Sequence, residues 1–230
     1  MMRRILLVTL ALTAAVATAC SSDEPSSSDG NLPDGKTLLQ DSAATTADIK
    51  SAHFTLAVNG ELPGLSVKSA EGDLTREGGG SGAAKGTVSM DLMGSLFEGE
   101  FVLVEDSLWV KGPTGGFQEL PASMVRSLYD PAAILDPDKG IANVLKNVRD
   151  PRTEGSEDVD GVSTYKVTGT VTKDVVSSLV PGINSDVDIT FWVRRDDGNQ
   201  PVKASVKAPK GTVDVTLSDV DKQVEITAPQ

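Results

Sequence analysis

From Phe54 to Leu217 the apolar residues fall mostly at every second position, in short runs separated by turn dipeptides. No other feature limits the fold so strongly. Successive side chains of a strand point to opposite faces, so a period of two specifies a sheet with one buried and one wet face. Phe54, Leu56 and Val58 alternate with Thr55 and Ala57, and Asn59-Gly60 then predicts a type I′ hairpin turn. The returning strand, about Leu62 to Thr75, opens on Pro63-Gly64 and so starts irregularly. Glu77 to Ala84 is a Gly-rich loop, and Thr87 to Leu92 follows as a strand with Val88, Met90 and Leu92 on one face.

Leu96–Val104 and Ser107–Lys111 form the next predicted hairpin, across Glu105-Asp106. Pairing Val104 with Ser107 sets Leu103 against Leu108 and Phe101 against Val110, with Trp109 opposite Val102 on the other face. Later, Asp160-Gly161 turns the chain into Thr164–Val171. A meander follows, with Val187, Ile189, Phe191 and Val193 on one face. Val202, Ala204 and Val206 come after Asp197-Gly198, and Val213, Val215 and Leu217 after Lys210-Gly211. Gln223 to Thr227 reads as a last short strand.

Helical periodicity is confined to a few segments. Residues 37–50 show a weak apolar side at Leu38, Ser42/Ala43 and Ile49. Asp130-Pro131 and Asp136-Pro137 each resemble an N-cap followed by Pro at the first helical position. The second of these predicted helices carries the stripe Ile141, Val144, Leu145 and Val148, and Asp150-Pro151 stops it. Lys173 to Val180 reads as a short helix capped by Thr172 and ended by Pro181-Gly182. The expected fold is therefore α+β: a large antiparallel sheet with hairpin connections, one face covered by few helices.

The first 24 residues set an address. Met1-Met2-Arg3-Arg4 is a basic patch, Ile5 to Val16 is apolar, and Ala17-Thr18-Ala19 precedes Cys20, the only cysteine. That is the plan of a secretory signal peptide over 1–19, and its apolar run is short of the ~20 residues of a spanning helix. Two readings stand at Cys20. A lipobox-type site would make it an acylated mature N-terminus, and the polar tail Ser21 to Gly30 suits a tether. An ordinary A-x-A cleavage at Ala17-Thr18-Ala19 would instead release a soluble fraction. The chain divides into leader 1–19, anchor and linker 20–33, and one domain over 34–230. About 13 linker residues reach roughly 20 Å at ~5–6 Å times the square root of their number. Acylation would hold the domain on the outer face of the cytoplasmic membrane.

Charge narrows the partners. With 21 basic and 33 acidic residues the net charge is −12, and losing Arg3 and Arg4 with the leader makes it −14. Such a surface argues against nucleic acid and against adsorption to anionic headgroups. The chemistry-bearing residues are sparse. His53, the one histidine, stands where a helix meets a strand, with no G-x-S-x-G motif to supply a nucleophile. One Cys and one His make no transition-metal spacing, and the Asp-rich pieces lack the order of a calcium loop. Gly78-Gly79-Gly80-Ser81-Gly82 leads into a strand, so no helix N-terminus stands behind it to hold a phosphate. Trp109 and Trp192 fall on the polar face, under a covering helix or loop or else against a membrane or partner. No cofactor is implied.

The run Ser51-Ala52-His53-Phe54-Thr55-Leu56-Ala57-Val58-Asn59-Gly60-Glu61-Leu62-Pro63-Gly64-Leu65-Ser66 resembles the LppX/LprA/LprF/LprG family of mycobacterial lipoproteins, the LprG branch in particular. Gly72-Asp73-Leu74-Thr75, Tyr129-Asp130-Pro131-Ala132, Leu135-Asp136-Pro137-Asp138 and Ala142-Asn143-Val144-Leu145 resemble it too. The similarity runs in order through nearly all of 31–230, departing at Ala17 and at the Gly-rich loop 77–84. The resemblance implies a half-barrel: a curved antiparallel sheet with helices on its concave face around an apolar lipid cavity. It implies binding of triacylated glycolipids (phosphatidylinositol mannosides and lipoarabinomannan-type lipoglycans) and of triacylglycerol, and work with a major-facilitator-type export pump.

Val88 matches a position at the family's pocket entrance. The other candidates for the cavity wall are Met90, Leu92, Phe101, Leu103, Val110, Leu128, Ile134, Ile141, Val144, Leu145, Val148, Phe191 and Val193, with Ala204 and Gly169 leaving room. The leading expectation is a non-enzymatic lipid carrier anchored through Cys20. An envelope sensor or scaffold acting through protein contacts is the alternative, and a hydrolase using His53 a distant third.

Overall fold

The computed structural model describes residues 32–229, apart from 63, 78–81, 93, 106, 122–130, 178, 181 and 197. The leader, Cys20, the linker before residue 32, Leu128, the Asp130 cap and the run Gly78–Ser81 lie outside the described residues. Helix α1 (Gly35–Asp48) opens where Asp34 caps it: the Asp34 Oδ1 accepts the Thr37 N–H at 2.9 Å and the Thr37 hydroxyl at 3.0 Å. The helix starts two residues earlier than its periodicity suggests because that cap precedes the apolar positions. Leu38, Leu39 and Ala43 are buried in it, and Ile49 is buried just beyond its end.

Eleven strands follow: β1 (Ser51–Gly60), β2 (Val67–Thr75), β3 (Ala83–Leu92), β4 (Ser95–Val104), β5 (Ser107–Lys111), β6 (Gln118–Pro121), β7 (Arg149–Val159), β8 (Val162–Val171), β9 (Val187–Arg194), β10 (Pro201–Ala208) and β11 (Gly211–Ser218). They form one antiparallel sheet in the order β6-β5-β4-β3-β2-β1-β11-β10-β9-β8-β7. Every neighbour pair is consecutive in the chain except β1 with β11, which brings the first and last strands together at the sheet's middle. The sheet is curved and unclosed, with β6 and β7 as its edges. Between them the chain crosses the concave face through a 3-10 helix (Pro131–Leu135) and α2 (Ile141–Lys146); α3 (Lys173–Val176) follows β8. The fold is the α+β half-barrel that the resemblance implied.

The β4–β5 register is the expected one, with Leu103 against Leu108, Phe101 against Val110 and Val102 against Trp109. Several other expectations are corrected. Asn59-Gly60 is not a turn: β1 runs through both residues, which pair with Thr212 and Gly211. The ladder to β11 satisfies their backbone, and Gly60 suits the site because a Cβ there would meet the Lys210 carbonyl at 2.4 Å. The turn falls instead between Glu61 and Ser66, closed by the Leu65 N–H on the Leu62 carbonyl. β3 starts at Ala83, four residues before the expected Thr87.

Asp136-Pro137 does not open a helix. The Asp136 Oδ1 accepts the N–H groups of Asp138 (2.8 Å) and Lys139 (3.0 Å), which makes a local turn, and α2 begins after Gly140. α2 ends at Lys146, so Val148 lies beyond it, and Asp150-Pro151 sits in an irregular start of β7 rather than stopping the helix. The expected strand Gln223–Thr227 is absent, because both edges of β11 are already paired. That segment crosses toward β3 instead, where the Lys85 ammonium donates to the Glu225 carbonyl at 3.0 Å.

Candidate functional site

Alternation places Ile189 and Phe191 of β9, Ala204 and Val206 of β10, and Val213 and Val215 of β11 on the concave face. Ile134 of the 3-10 helix, Ile141 and Val144 of α2, and Val176, Leu179 and Val180 of α3 and its following turn lie over them. Together these twelve apolar side chains enclose about 40 Å³ of free space. Among the described residues no polar side chain lines it, so none of them can orient a small polar substrate there or bond an entering water. The arrangement can do one thing: receive apolar chains, provided the covering layer moves outward.

The expected wall residues divide. Ile134, Ile141, Val144 and Phe191 line this space. Leu145 and Val193 are buried in the core beside it, and Phe101 and Leu103 are buried in β4. Val148 packs into the place of a side chain at Gly169, where a Cβ would meet a Val148 methyl carbon at 2.4 Å; Gly169 therefore leaves no room. Val110 is half-buried against the core. Ala204 does line the space, as expected. Val88 and Met90 are half-buried and Leu92 is 47% exposed, so β3 carries an apolar track from buried Ala84 out to the rim.

Val176, Leu179, Val180, Ile189, Val206, Val213 and Val215 were not among the expected wall residues. Their inward positions were readable from period two and from the 173–180 helical face. What periodicity does not say is which strands lie beneath which helix.

Two other hollows flank this one. At the rim, Leu62 of the β1–β2 connection, Gly182 to Ser185, and Ala208 to Lys210 surround about 280 Å³. A hollow of about 690 Å³ spans β1 to β5 and the two residues after β5; Ser69, Glu71, Thr87, Glu98, Glu100 and Lys111 line it together with Leu56, Ala70 and Val88, the expected entrance residue. The Phe97 ring lies against Gly99 and Gly112. The walls of this hollow are mixed, polar at the Lys111–Glu100 pair (2.8 Å) and apolar at Leu56, Ala70 and Val88.

His53 faces outward. Its Nδ1 lies 3.0 Å from Asp73 Oδ1 and its Nε2 3.5 Å from Glu71 Oε1, and among the described residues no hydroxyl is bonded to either ring nitrogen. A triad needs a nucleophile at that place. Trp192 is buried. The Lys166 and Lys203 ammonium groups stand 5.5 and 5.1 Å from its ring, and its indole N–H donates to Glu157. Trp109 is half-buried on the same face.

Comparison with known proteins adds three findings. Residues 34–226 match the LppX_LprAFG lipoprotein family. The lipoarabinomannan carrier protein LprG of Mycobacterium tuberculosis (strain H37Rv) is 36% identical over 232 residues, covering 99% of this chain and 95% of that one. The protein of the same name from Mycolicibacterium smegmatis is 36% identical over 223 residues, covering 96% and 93%. Among solved structures, LprF from Mycobacterium bovis superposes with a TM-score of 0.77 at 29% identity, covering 85% of this chain and 96% of that one. LppX from Mycobacterium tuberculosis shares the fold, with a TM-score of 0.65 at 24% identity over 84% and 97%.

Proposed function

The chain belongs to the LppX_LprAFG lipoprotein family, and from that premise we propose that it is a non-enzymatic lipid carrier that takes acyl chains between its sheet and its helical layer. The observation that carries this reading is the interlayer space, walled by apolar side chains from three strands and three short covering elements. The name of its relatives supports lipoarabinomannan as cargo; the proposal extends this to related triacylated glycolipids and to triacylglycerol. Cargo is passed from the cytoplasmic membrane toward the outer envelope, with an export pump of the major-facilitator type as partner. Cys20, acylated, holds the carrier on the outer face of that membrane.

The physics suits the task. Carrying a two-chain lipid through water exposes roughly 30 CH₂ groups, on the order of 25 kcal/mol at ~0.8 kcal/mol each. An apolar interlayer removes most of that barrier without any bond being made or broken. His53, held between two carboxylates on the outer face, takes no part, so His53→Ala leaves transfer between vesicles unchanged.

The deciding experiment is native mass spectrometry, with lipid extraction, of the protein made in an actinobacterial host. Acyl lipid bound at about one per chain is the expected result. Protein that emerges free of lipid, and takes none up from vesicles, overturns the carrier reading.

A further inference from the structure

We propose that one rim of the half-barrel is a membrane-docking surface, and that the β3–β4 turn enters the headgroup layer through Leu92 and Leu96. Antiparallel register settles which elements share this rim. It holds the start of β7, the β1–β2, β3–β4 and β10–β11 connections, and the N-terminal end of α1. Pro33, just before α1, accepts the Thr153 hydroxyl of β7 at 2.7 Å, which pins the chain's entry there.

Three large apolar side chains are exposed among the described residues: Leu32 (39%), Leu92 (47%) and Leu96 (65%). All three belong to this rim. Leu92 ends the apolar track of β3, so the exposed tip is continuous with the buried core. Leu92 and Leu96 flank one turn, and Leu32 stands by β7, seven strands further along the sheet order; a turn tipped by two exposed leucines fits an apolar layer.

The rim carries charges of both signs: Lys36, Lys68, Arg149, Lys207 and Lys210 stand there with Asp34, Glu61, Asp91 and Asp150. The opposite rim is mixed as well, with Arg195 beside Asp196 and Lys222 beside Asp221. The exposed leucines and the point where the chain enters, rather than net charge, single out this rim. The inference rests on the proposed anchor at Cys20 for bringing this rim to the bilayer. The eleven residues between Cys20 and Leu32 let it stand at most about 40 Å away at ~3.3–3.6 Å per residue.

The test supplies the tether chemically, so that natural acylation does not decide it. The full-length chain, with methyl-labelled Leu and Val, is coupled through Cys20 to a maleimide lipid in nanodiscs of phosphatidylethanolamine and phosphatidylglycerol. A nitroxide lipid is then added. The methyl signals of Leu92 and Leu96 are expected to broaden severalfold more than those of Val104 and Val159 at the far rim. Leu92→Ser with Leu96→Ser is expected to bring the broadening of Leu65, on the same rim, down to the far-rim level. Equal broadening at both rims overturns the proposal. So do shifts of the Leu92 and Leu96 signals with protein concentration in the absence of nanodiscs, which would make a second copy the occupant.

Discussion

Ser42 sits on the buried side of α1 with no exposure, and its hydroxyl has no hydrogen-bond partner among the described residues. A buried donor without an acceptor costs about 1–3 kcal/mol, and Ala is the better helix former. Ser42→Ala is therefore expected to raise the unfolding free energy by about 1 kcal/mol in a urea titration; a loss of stability would mean the hydroxyl has a partner. Asp34, at the head of the same helix, acts through charge. The Thr37 backbone N–H, then the Thr37 hydroxyl, hold its carboxyl below the ordinary value of 3.8. A carboxylate depressed in the fold adds stability above its unfolded value, and that addition is lost as pH falls through the folded value. The gap in melting temperature between the parent and Asp34→Ala should thus be full at pH 7, begin to shrink near pH 3.8 and narrow further below it. A gap independent of pH would remove the charge from the argument.

At the scale of elements, the wall of the interlayer space offers a direct probe. Ala204 on β10 is its smallest side chain, facing Val144, Val176 and their neighbours. Ala204→Leu fills the roughly 40 Å³ that is free and then crowds the layer, at a cost of about 1–3 kcal/mol. Bound lipid per chain should fall severalfold while the far-ultraviolet spectrum stays the same. Val88→Trp on β3 tests the other half of the sheet: it should also reduce loading without unfolding, and unchanged loading would confine acyl chains to the β9–β11 side. These two positions mark where sequence was and was not legible. The β4–β5 hairpin was readable to the residue, because a two-residue connection and strict alternation leave one register. Asn59-Gly60 misled because its backbone is claimed by β11, some 150 residues away in the chain, and local turn preference cannot weigh a distant partner. The inner face was readable from period two, but the wall was not, since it depends on where α2 and α3 come to rest over the strands.

At the scale of the whole molecule, the interlayer space poses a problem of volume. Ligand sites for small molecules run to about 300–1,000 Å³, and a diacylated lipid needs hundreds, yet the space between sheet and short helices holds about 40 Å³. The sheet cannot widen without breaking its ladders, so the covering layer must lift. Its pieces are a 3-10 helix of 5 residues, α2 of 6 and α3 of 4, all too short to persist without packing. Of these, α3 and the turn after it stand between the closed space, which Val176, Leu179 and Val180 line, and the rim hollow, which Gly182 to Ser185 line. Displacing that one wall would join the two spaces and open them at the rim proposed to face the membrane. Asp186 ties the wall down: its Oδ1 accepts the Lys173 N–H at 3.0 Å, and its Oδ2 lies 3.8 Å from an exposed Arg149 guanidinium nitrogen. Both ties are solvent-exposed, so losing them costs the fold about 1 kcal/mol or less. Asp186→Ala should then speed uptake of a fluorescent diacyl lipid severalfold while shifting the melting temperature little. An uptake rate equal to the parent's would place the gate at α2 or at the 3-10 helix instead.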